Sequence, residues 1–271
     1  MLCDLHLHTT KSDGLWSPER LFEEIRRRDL QLFSITDHDC LDAYPVPEDL
    51  RDRCIPGLEV DSHHGGHTVH ILAYGIEDKP SPLLRALQAQ REDRLRRMHG
   101  MVNRLNLLGF TIAMDDVVAQ ATGASSLGRP HLARALVACG QVATVQEAFD
   151  RYIADDRDAY VALERLTSAR VIDLIHDSGG VAVVAHPMRL RDSRHLEELC
   201  QLGADGIEVV HPTADAGAEA AFRNFALEHD LLMTGGSDFH TPVSGREIGI
   251  ALQENACRAL LSKVNPSVGS V

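Results

Sequence analysis

Cys3-Asp4-Leu5-His6-Leu7-His8 is the stretch on which the fold turns, an apolar strand carrying two imidazoles two residues apart. Successive side chains of a strand alternate between its faces, so His6 and His8 share one face and stand close enough to share a cation. Asp13 follows in the turn before Gly14. Ser17 as N-cap and Pro18 at the first helical position then open a helix, with Leu21, Phe22 and Ile25 as its apolar stripe. That helix returns the chain for a parallel strand at residues 32–36, which ends in Asp37-His38-Asp39. A strand, a helix and a second strand, each strand ending in ligand-type residues, predict an α/β fold: a mainly parallel sheet covered by helices.

The rhythm continues outward from there. Strands are expected at residues 57–60, carrying Glu59, and at 68–74, carrying His70. Beyond residue 164, Thr167 or Ser168 caps a helix closed by Gly179-Gly180, and a strand at 181–185 ends in His186-Pro187. Strands at 206–210 and 231–234 flank a helix containing Ala220, Phe222, Phe225 and Ala226, and the second is followed by Gly235-Gly236-Ser237-Asp238-Phe239-His240. Between the two regions Lys79-Pro80-Ser81-Pro82 breaks the pattern, and the chain beyond it is helical and rich in Arg. The expected organisation is therefore a discontinuous α/β domain of residues 1–78 and 164–265, a helical insert at 79–163 capping the active site, and a frayed tail at 266–271.

Composition narrows the function classes. Of 271 residues, 44% are hydrophobic and 25% charged, ordinary soluble values, and no apolar run nears the roughly 20 residues that span a bilayer. The start lacks the basic segment and apolar stretch of a secretory signal, so a cytoplasmic location is expected. Six scattered cysteines, with no CxxC pair, read as reduced thiols. A formal charge of −13 argues against a stable nucleic-acid complex, and any polyanionic substrate must meet a local cationic site.

The 15 histidines matter through their placement. In a barrel of parallel strands the carboxyl ends open on one face, where residues distant in sequence converge. Nine residues recur at such positions: His6, His8, Asp13, His38, Glu59, His70, His186, Asp238 and His240. Nine are too many for one ion, so a multinuclear site is expected, with Glu59 able to bridge. Oxygen and nitrogen donors without thiolate suit Mn, Mg, Fe or Zn. Asp37 and Asp39 are expected to orient ligand histidines, and His67 to support the site from behind. His211 fits either a substrate or acid role or a surface loop. The arginine run at 91–104, interleaved with Glu92 and Asp93, reads as a solvated helix face.

Taken together, Asp4-Leu5-His6-Leu7-His8-Thr9, Ser12-Asp13-Gly14, Thr36-Asp37-His38-Asp39, Gly57-Leu58-Glu59-Val60, His67-Thr68-Val69-His70, Ala185-His186-Pro187 and Ser237-Asp238-Phe239-His240 resemble the polymerase and histidinol phosphatase (PHP) superfamily. Among its members the chain is most similar to stand-alone enzymes with a helical insert, which include 3′,5′-nucleotide bisphosphate phosphatases and a 5′-to-3′ exoribonuclease. The resemblance implies a distorted (β/α)7 TIM-like barrel and a centre of three divalent ions, commonly manganese. One ion would take His6, His8, Glu59 and Asp238, a second Asp13, His38 and His240, and a third Glu59, His70 and His186. The catalytic weight would fall on Asp13, His38, Glu59 and Asp238.

Gly128-Arg129-Pro130-His131 is similar to a family segment whose Arg and His face the substrate phosphate, so Arg129 and His131 are expected substrate contacts, although a plain helix start also fits. Relatives carry Gly-Lys-Pro where this chain has Asp156-Arg157-Asp158, and Arg157 would replace that lysine. The implied chemistry is direct attack of metal-bound hydroxide on a phosphate ester. Nucleoside 3′,5′-bisphosphates are the first expected substrates. The alternatives are short RNA degraded from its 5′ end, histidinol phosphate, or a metal-binding module without catalysis.

Overall fold

The computed structural model describes residues 1–121, 123–163, 165–190, 192–242 and 245–265, so the expected tail at 266–271 lies outside the described residues. The strands are β1 (Leu2–Leu7), β2 (Leu32–Ile35), β3 (Gly57–His64), β4 (His67–Tyr74), β5 (Leu166–Thr167), β6 (Val181–Val184), β7 (Gly206–Val210), β8 (Leu232–Gly235) and β9 (Ile250–Ala251). The helices are α1 (Pro18–Arg28), α2 (Pro82–Leu107), α3 (Met114–Ala119), α4 (Arg129–Ala138), α5 (Val145–Ala148), α6 (Ser168–Asp177), α7 (Arg194–Gln201), α8 (Ala216–Glu228) and α9 (Glu254–Val264), with α2 to α5 running consecutively between β4 and β5. Among the described residues no helix is long and apolar enough to cross a membrane.

Local chemistry explains the boundaries. Ser17 caps α1 by accepting the Arg20 N–H, and Asp29, in the left-handed region at φ 50°, ends it. Thr167 caps α6 in the same way through Arg170. Where the sequence predicts separate strands at 57–60 and 68–74, β3 and β4 are longer and form one antiparallel hairpin, paired from Gly57–Tyr74 to His64–His67. Gly65 and Gly66 turn it at φ 56° and 80°, the left-handed pair of a two-residue turn whose twist suits the flanking strands.

The architecture is a mixed α/β fold in two sheets, one ordered β2-β1-β9 and the other β5-β3-β4-β6-β7-β8. Parallel pairs lead, but β4 runs antiparallel to both β3 and β6. A continuous closed (β/α)7 ring is therefore not seen among the described residues. The sheets meet through single parallel bridges, Leu7 with Phe239 on one side, and Phe33 with Cys54 and His38 with Glu59 on the other. Asp39 (φ 56°) and Asp238 (φ 49°), each next to one of these bridges, have left-handed backbone.

The sheets bury Leu58, Val60, Ile71, Val184, Ile207 and Val209 against α6, α7 and α8. A separate apolar core of Met98, Met101, Leu105, Leu132 and Leu136 holds the helical segment together. Helix α2 belongs to both, since Leu83 and Leu87 pack with the sheet residues while Met98 and Leu105 pack in the helical core.

Candidate metal centre

Both flanks of β1 are arranged to gather ligands. On one, a Cβ at Gly236 would stand 2.3 Å from His6 Cβ, so only glycine lets the chain leaving β8 press onto β1. The Asp238 N–H then donates to the His6 carbonyl at 3.0 Å. That contact brings Asp238 Oδ1 within 3.6 Å of His6 Nε2 and 3.5 Å of His8 Nε2. On the other flank, the His38–Glu59 bridge joins β3 to the residues following β2. Asp37 fixes the intervening loop by accepting the Thr9 N–H (2.7 Å), the Thr9 hydroxyl (2.6 Å) and the Ser12 hydroxyl (2.6 Å), which presents Asp13.

Glu59 is the hub. It is 1% exposed. Its Oε2 lies 3.3 Å from His6 Nε2, 3.2 Å from His8 Nε2 and 3.4 Å from His38 Nδ1. Its Oε1 lies 2.8 Å from His70 Nδ1 and 3.1 Å from His186 Nε2. Asp13 Oδ1 lies 3.2 Å from His240 Nε2 and 3.7 Å from His8 Nδ1, with His38 Nε2 3.9 Å from its other oxygen.

All nine predicted ligands thus meet in one place. Among the described residues they fall into overlapping groups of metal-holding size: His8, Asp13, His38 and His240; His6, His8 and Asp238; Glu59, His70 and His186; and one not anticipated, His38, Asp61 and His70.

The donor set fits divalent cations. His6 Nε2 and His8 Nε2 stand 3.1 Å apart and both aim at Glu59, an arrangement in which donors converge on common points. His8 Nδ1 is buried without a hydrogen-bond partner among the described residues, and His38 Nδ1 and Asp61 Oδ1 face each other at 3.3 Å without an aligned hydrogen bond, a geometry that suits a shared ion. Burial alone would push Glu59 up, yet the imidazoles of His70, His38 and His6 hold it well below the usual carboxylate range. Asp13 is likewise held low against burial by His240 and His38, and Asp238 by His6 and His211. Burial and the neighbouring His240 lower His8 to about 3. Burial takes His186 to about 4. His38 is raised to about 10 against burial by Glu59 and Asp13, and His240 to about 9 against burial by Asp13. The proton-free rings of His8 and His186 and the ionised carboxylates are in the forms that bind metal, whereas His6, His38 and His240, held protonated by their carboxylate neighbours, must release a proton to bind it.

The structure alters several supporting roles. Asp37 orients the Thr9–Ser12 loop, and Asp39 pairs with Arg94 (2.7 Å) and Gln90 (3.0 Å) of α2; ligand histidines are not their hydrogen-bond partners. His67 sits at the hairpin end with its ring 5.5 Å from that of His195, away from the cluster. His211 is no surface histidine: it is 3% exposed, with Nε2 3.3 Å from Asp238 Oδ2. His131 caps α4 by accepting the Gly128 N–H at 3.0 Å, and burial lowers it to about 4. Arg157 is exposed.

The run at 91–104 is only partly a solvated face. Arg94 and Arg97 are 6% and 7% exposed, in phase with Leu83, Leu87, Gln90 and Met101, and that phase is the signal that could have found them. Two carboxylates also escaped the sequence reading. Glu208, fully buried on β7, lies 3.1 Å from His6 Nδ1 and accepts the His186 N–H at 2.7 Å. Asp61 on β3 lies 3.3 Å from His38 Nδ1 and 2.9 Å from an Arg94 NH2.

Asp13, His38, His70 and His186 open onto a cavity of about 340 Å³ whose other lining residues include Arg94, Arg97, Arg129, Arg165 and Arg189. Arg129, the first residue of α4, pairs with Asp155 at 2.7 Å. With divalent ions bound by these residues, the centre would lie beside a cationic pocket sized for a small anionic ligand and would supply water activation there.

No protein-family model matches the chain. It is 33% identical to the 5′-3′ exoribonuclease Rnm of Salmonella typhimurium over 262 residues, 92% of this chain and 88% of that protein. It is 32% identical to the 3′,5′-nucleoside bisphosphate phosphatase of Chromobacterium violaceum over 256 residues, 91% of this chain and 90% of that one. A crystal structure from Bifidobacterium adolescentis, assigned to the metal-dependent phosphoesterases, superposes with a TM-score of 0.87 at 31% identity, covering 98% of each chain.

Proposed function

This chain belongs to the PHP superfamily of metal-dependent phosphoesterases, hydrolases of phosphoric esters, and on that premise we propose that it removes a phosphate from nucleoside 3′,5′-bisphosphates. The observation that carries the reading is Glu59, within 2.8–3.4 Å of five imidazoles, three of which, His38, His70 and His186, line a cavity shared with five arginines. The reading is supported by the relative from Chromobacterium violaceum, which is a phosphatase of that class.

The proposed occupants are three divalent ions, manganese first and Mg, Fe or Zn as substitutes. His6, His8, Glu59 and Asp238 would hold one, Asp13, His38 and His240 a second, and Glu59, His70 and His186 a third. When bound, such ions lower the pKa of a water and polarise phosphoryl oxygens. The remaining tasks fall to side chains. Glu208 fixes the His6 ring, Asp37 fixes the loop of Asp13, and Arg129 exchanges its Asp155 partner for phosphate oxygens that match its planar fork.

The two bridged sheets are read as a distorted seven-strand barrel of residues 1–78 and 164–265, with the helical segment at 79–163 as a cap. A cytoplasmic enzyme acting on a small phosphorylated nucleotide is the corresponding cellular picture. A second reading, stepwise 5′-to-3′ removal of nucleotides from short RNA, is favoured by the likeness to the Salmonella exoribonuclease.

The deciding experiment gives manganese-loaded protein adenosine 3′,5′-bisphosphate, 5′-phosphorylated oligoribonucleotides and histidinol phosphate, and compares kcat/KM. The bisphosphate is expected to lead. A lead for the oligoribonucleotide, read as released mononucleotide, would establish the RNA reading instead, and release of neither phosphate nor mononucleotide from any of them overturns both.

A further inference from the structure

One of the four ligand groups, His38 with Asp61 and His70, belongs to none of the three ion positions proposed above. Asp61 stands two residues after Glu59 on β3, on the same face of the strand, and its register partner on β4 is His70. The pleat therefore aims its buried carboxylate at the centre. Asp61 Oδ2 is held by an Arg94 NH2 at 2.9 Å, with Arg165 Nε 3.6 Å away. Asp61 Oδ1 is left over: it lies 3.3 Å from His38 Nδ1 and 3.4 Å from His70 Nε2, and it is buried with no hydrogen bond among the described residues.

Without alignment for hydrogen bonds, those separations match the spacing of ligands on a common ion: donor atoms each at roughly 2.0–2.2 Å from it stand about 3.0–3.5 Å apart. His38, Asp61 and His70 also line the cavity of about 340 Å³, so an ion has a route to them. The tautomer of His70 adds to the case. Glu59 Oε1 accepts from His70 Nδ1 at 2.8 Å, which leaves the lone pair of that ring on Nε2, facing Asp61. A carboxylate oxygen and a bare ring nitrogen turned on each other repel until a cation lies between them.

A neutral imidazole has one lone pair to give. His38 Nε2 faces Asp13 of the second ion position at 3.9 Å, and His70 Nδ1 faces Glu59 of the third, so each ring serves either its resident ion or the Asp61 position. Two imidazoles and one carboxylate with an open side suit zinc, which nitrogen and oxygen donors bind more tightly than manganese. Resting on the three-ion reading above, we propose that His38 Nδ1, Asp61 Oδ1 and His70 Nε2 form a further cation position, selective for zinc, that fills only by withdrawing His38 and His70 from the resident ions. Zinc held there inhibits the manganese-loaded protein, and Asp61 is the residue through which it acts.

The test adds zinc chloride to manganese-loaded protein, unaltered and as D61N or D61S, and measures retained manganese and bound zinc by elemental analysis after desalting. In the unaltered chain zinc is expected to displace manganese and to lower kcat/KM on adenosine 3′,5′-bisphosphate. Both variants keep the nine resident ligands, and each is expected to require at least about ten times more zinc for the same loss of manganese. Equal sensitivity of the variants and the unaltered chain means plain replacement at the resident positions and overturns the proposal. Zinc-soaked crystals of the unaltered chain give a readout that depends on no variant. An anomalous zinc peak is expected about 2.0–2.2 Å from Asp61 Oδ1, and zinc bound with no peak there overturns the proposal. Protein that holds no manganese before zinc is added would defeat the three-ion reading, whereas a zinc peak at Asp61 in the same protein would leave the Asp61 position standing.

Discussion

Glu208 Oε1 lies 3.1 Å from His6 Nδ1, so the ring nitrogen that faces away from Glu59 is held by a fully buried carboxylate on a different strand. A metal-binding imidazole anchored in this way keeps its tautomer and orientation. Glu208→Gln removes the charge and keeps the shape. Manganese affinity, followed by titration calorimetry, is expected to fall about 10- to 100-fold. Unchanged affinity would mean that packing alone orients His6.

Glu59 touches more of the centre than any single histidine does, and its two oxygens face different groups of imidazoles. Glu59→Gln is expected to lower bound metal, measured by elemental analysis, and to cut kcat/KM at least about a hundredfold. A variant with full metal content and full turnover would remove Glu59 from the mechanism.

Removing metal leaves carboxylates and imidazoles buried against one another. Dialysis against a chelator is expected to lower the thermal midpoint, and manganese restored at a hundred times its dissociation constant should return about 2.7 kcal/mol of stability for each site filled. The comparison is a pair of melting curves, and coincident curves would contradict a resident cation.

The Arg94 guanidinium bonds Asp39 and Asp61 with 7% of its side chain exposed. Arg94→Met strands two buried carboxylates, and a loss of about 3–5 kcal/mol is expected by chemical denaturation. Asp39→Asn combined with Arg94→Met should cost less than the sum of the two single changes, because each removes the same pair.

On α1, Glu24 accepts from Arg27 Nε and Arg28 Nε at 2.8 Å each, and the Arg27 and Arg28 bonds hold it at about 2 against an ordinary value of 4.5. A lowered carboxylate stabilises the fold fully above its ordinary value and progressively less as pH falls towards 2. Glu24→Gln should therefore lower the thermal midpoint at pH 7 more than at pH 3. An equal decrement at both would assign the loss to packing.

Much of the metal centre was legible because ligand residues announce themselves by type and by period. His6 and His8 share a strand face, and His186 and Asp238 follow strands whose apolar runs are plain in the sequence. Glu208 was hidden inside Gly-Ile-Glu-Val-Val, where apolar neighbours mark the strand so strongly that its single charge passes as incidental. A buried strand with one acid is nevertheless a signal, since such a charge must meet a partner. The hairpin was masked because Asp61, Ser62, His63 and His64 extend β3 with polar residues, and β9 is only two residues long. The left-handed backbone at Asp39 and Asp238, next to the bridges that join the two sheets, is one that these residue types tolerate without requiring, so composition does not mark it.

Helix α2 is one unbroken helix of 26 residues, about 39 Å long at 1.5 Å per residue. Leu87 engages the sheets, Met101 engages the helical core, and Arg94 and Arg97 stand between them. Each residue of a helix adds about 100° of rotation. A single insertion or deletion between Leu87 and Arg94 would therefore swing the arginines off the cavity, or else rotate the whole helical segment about the axis to compensate. The spacing along this helix works as a phase lock: side chains over the metal ligands can be exchanged one by one, but the count of residues beneath them is fixed.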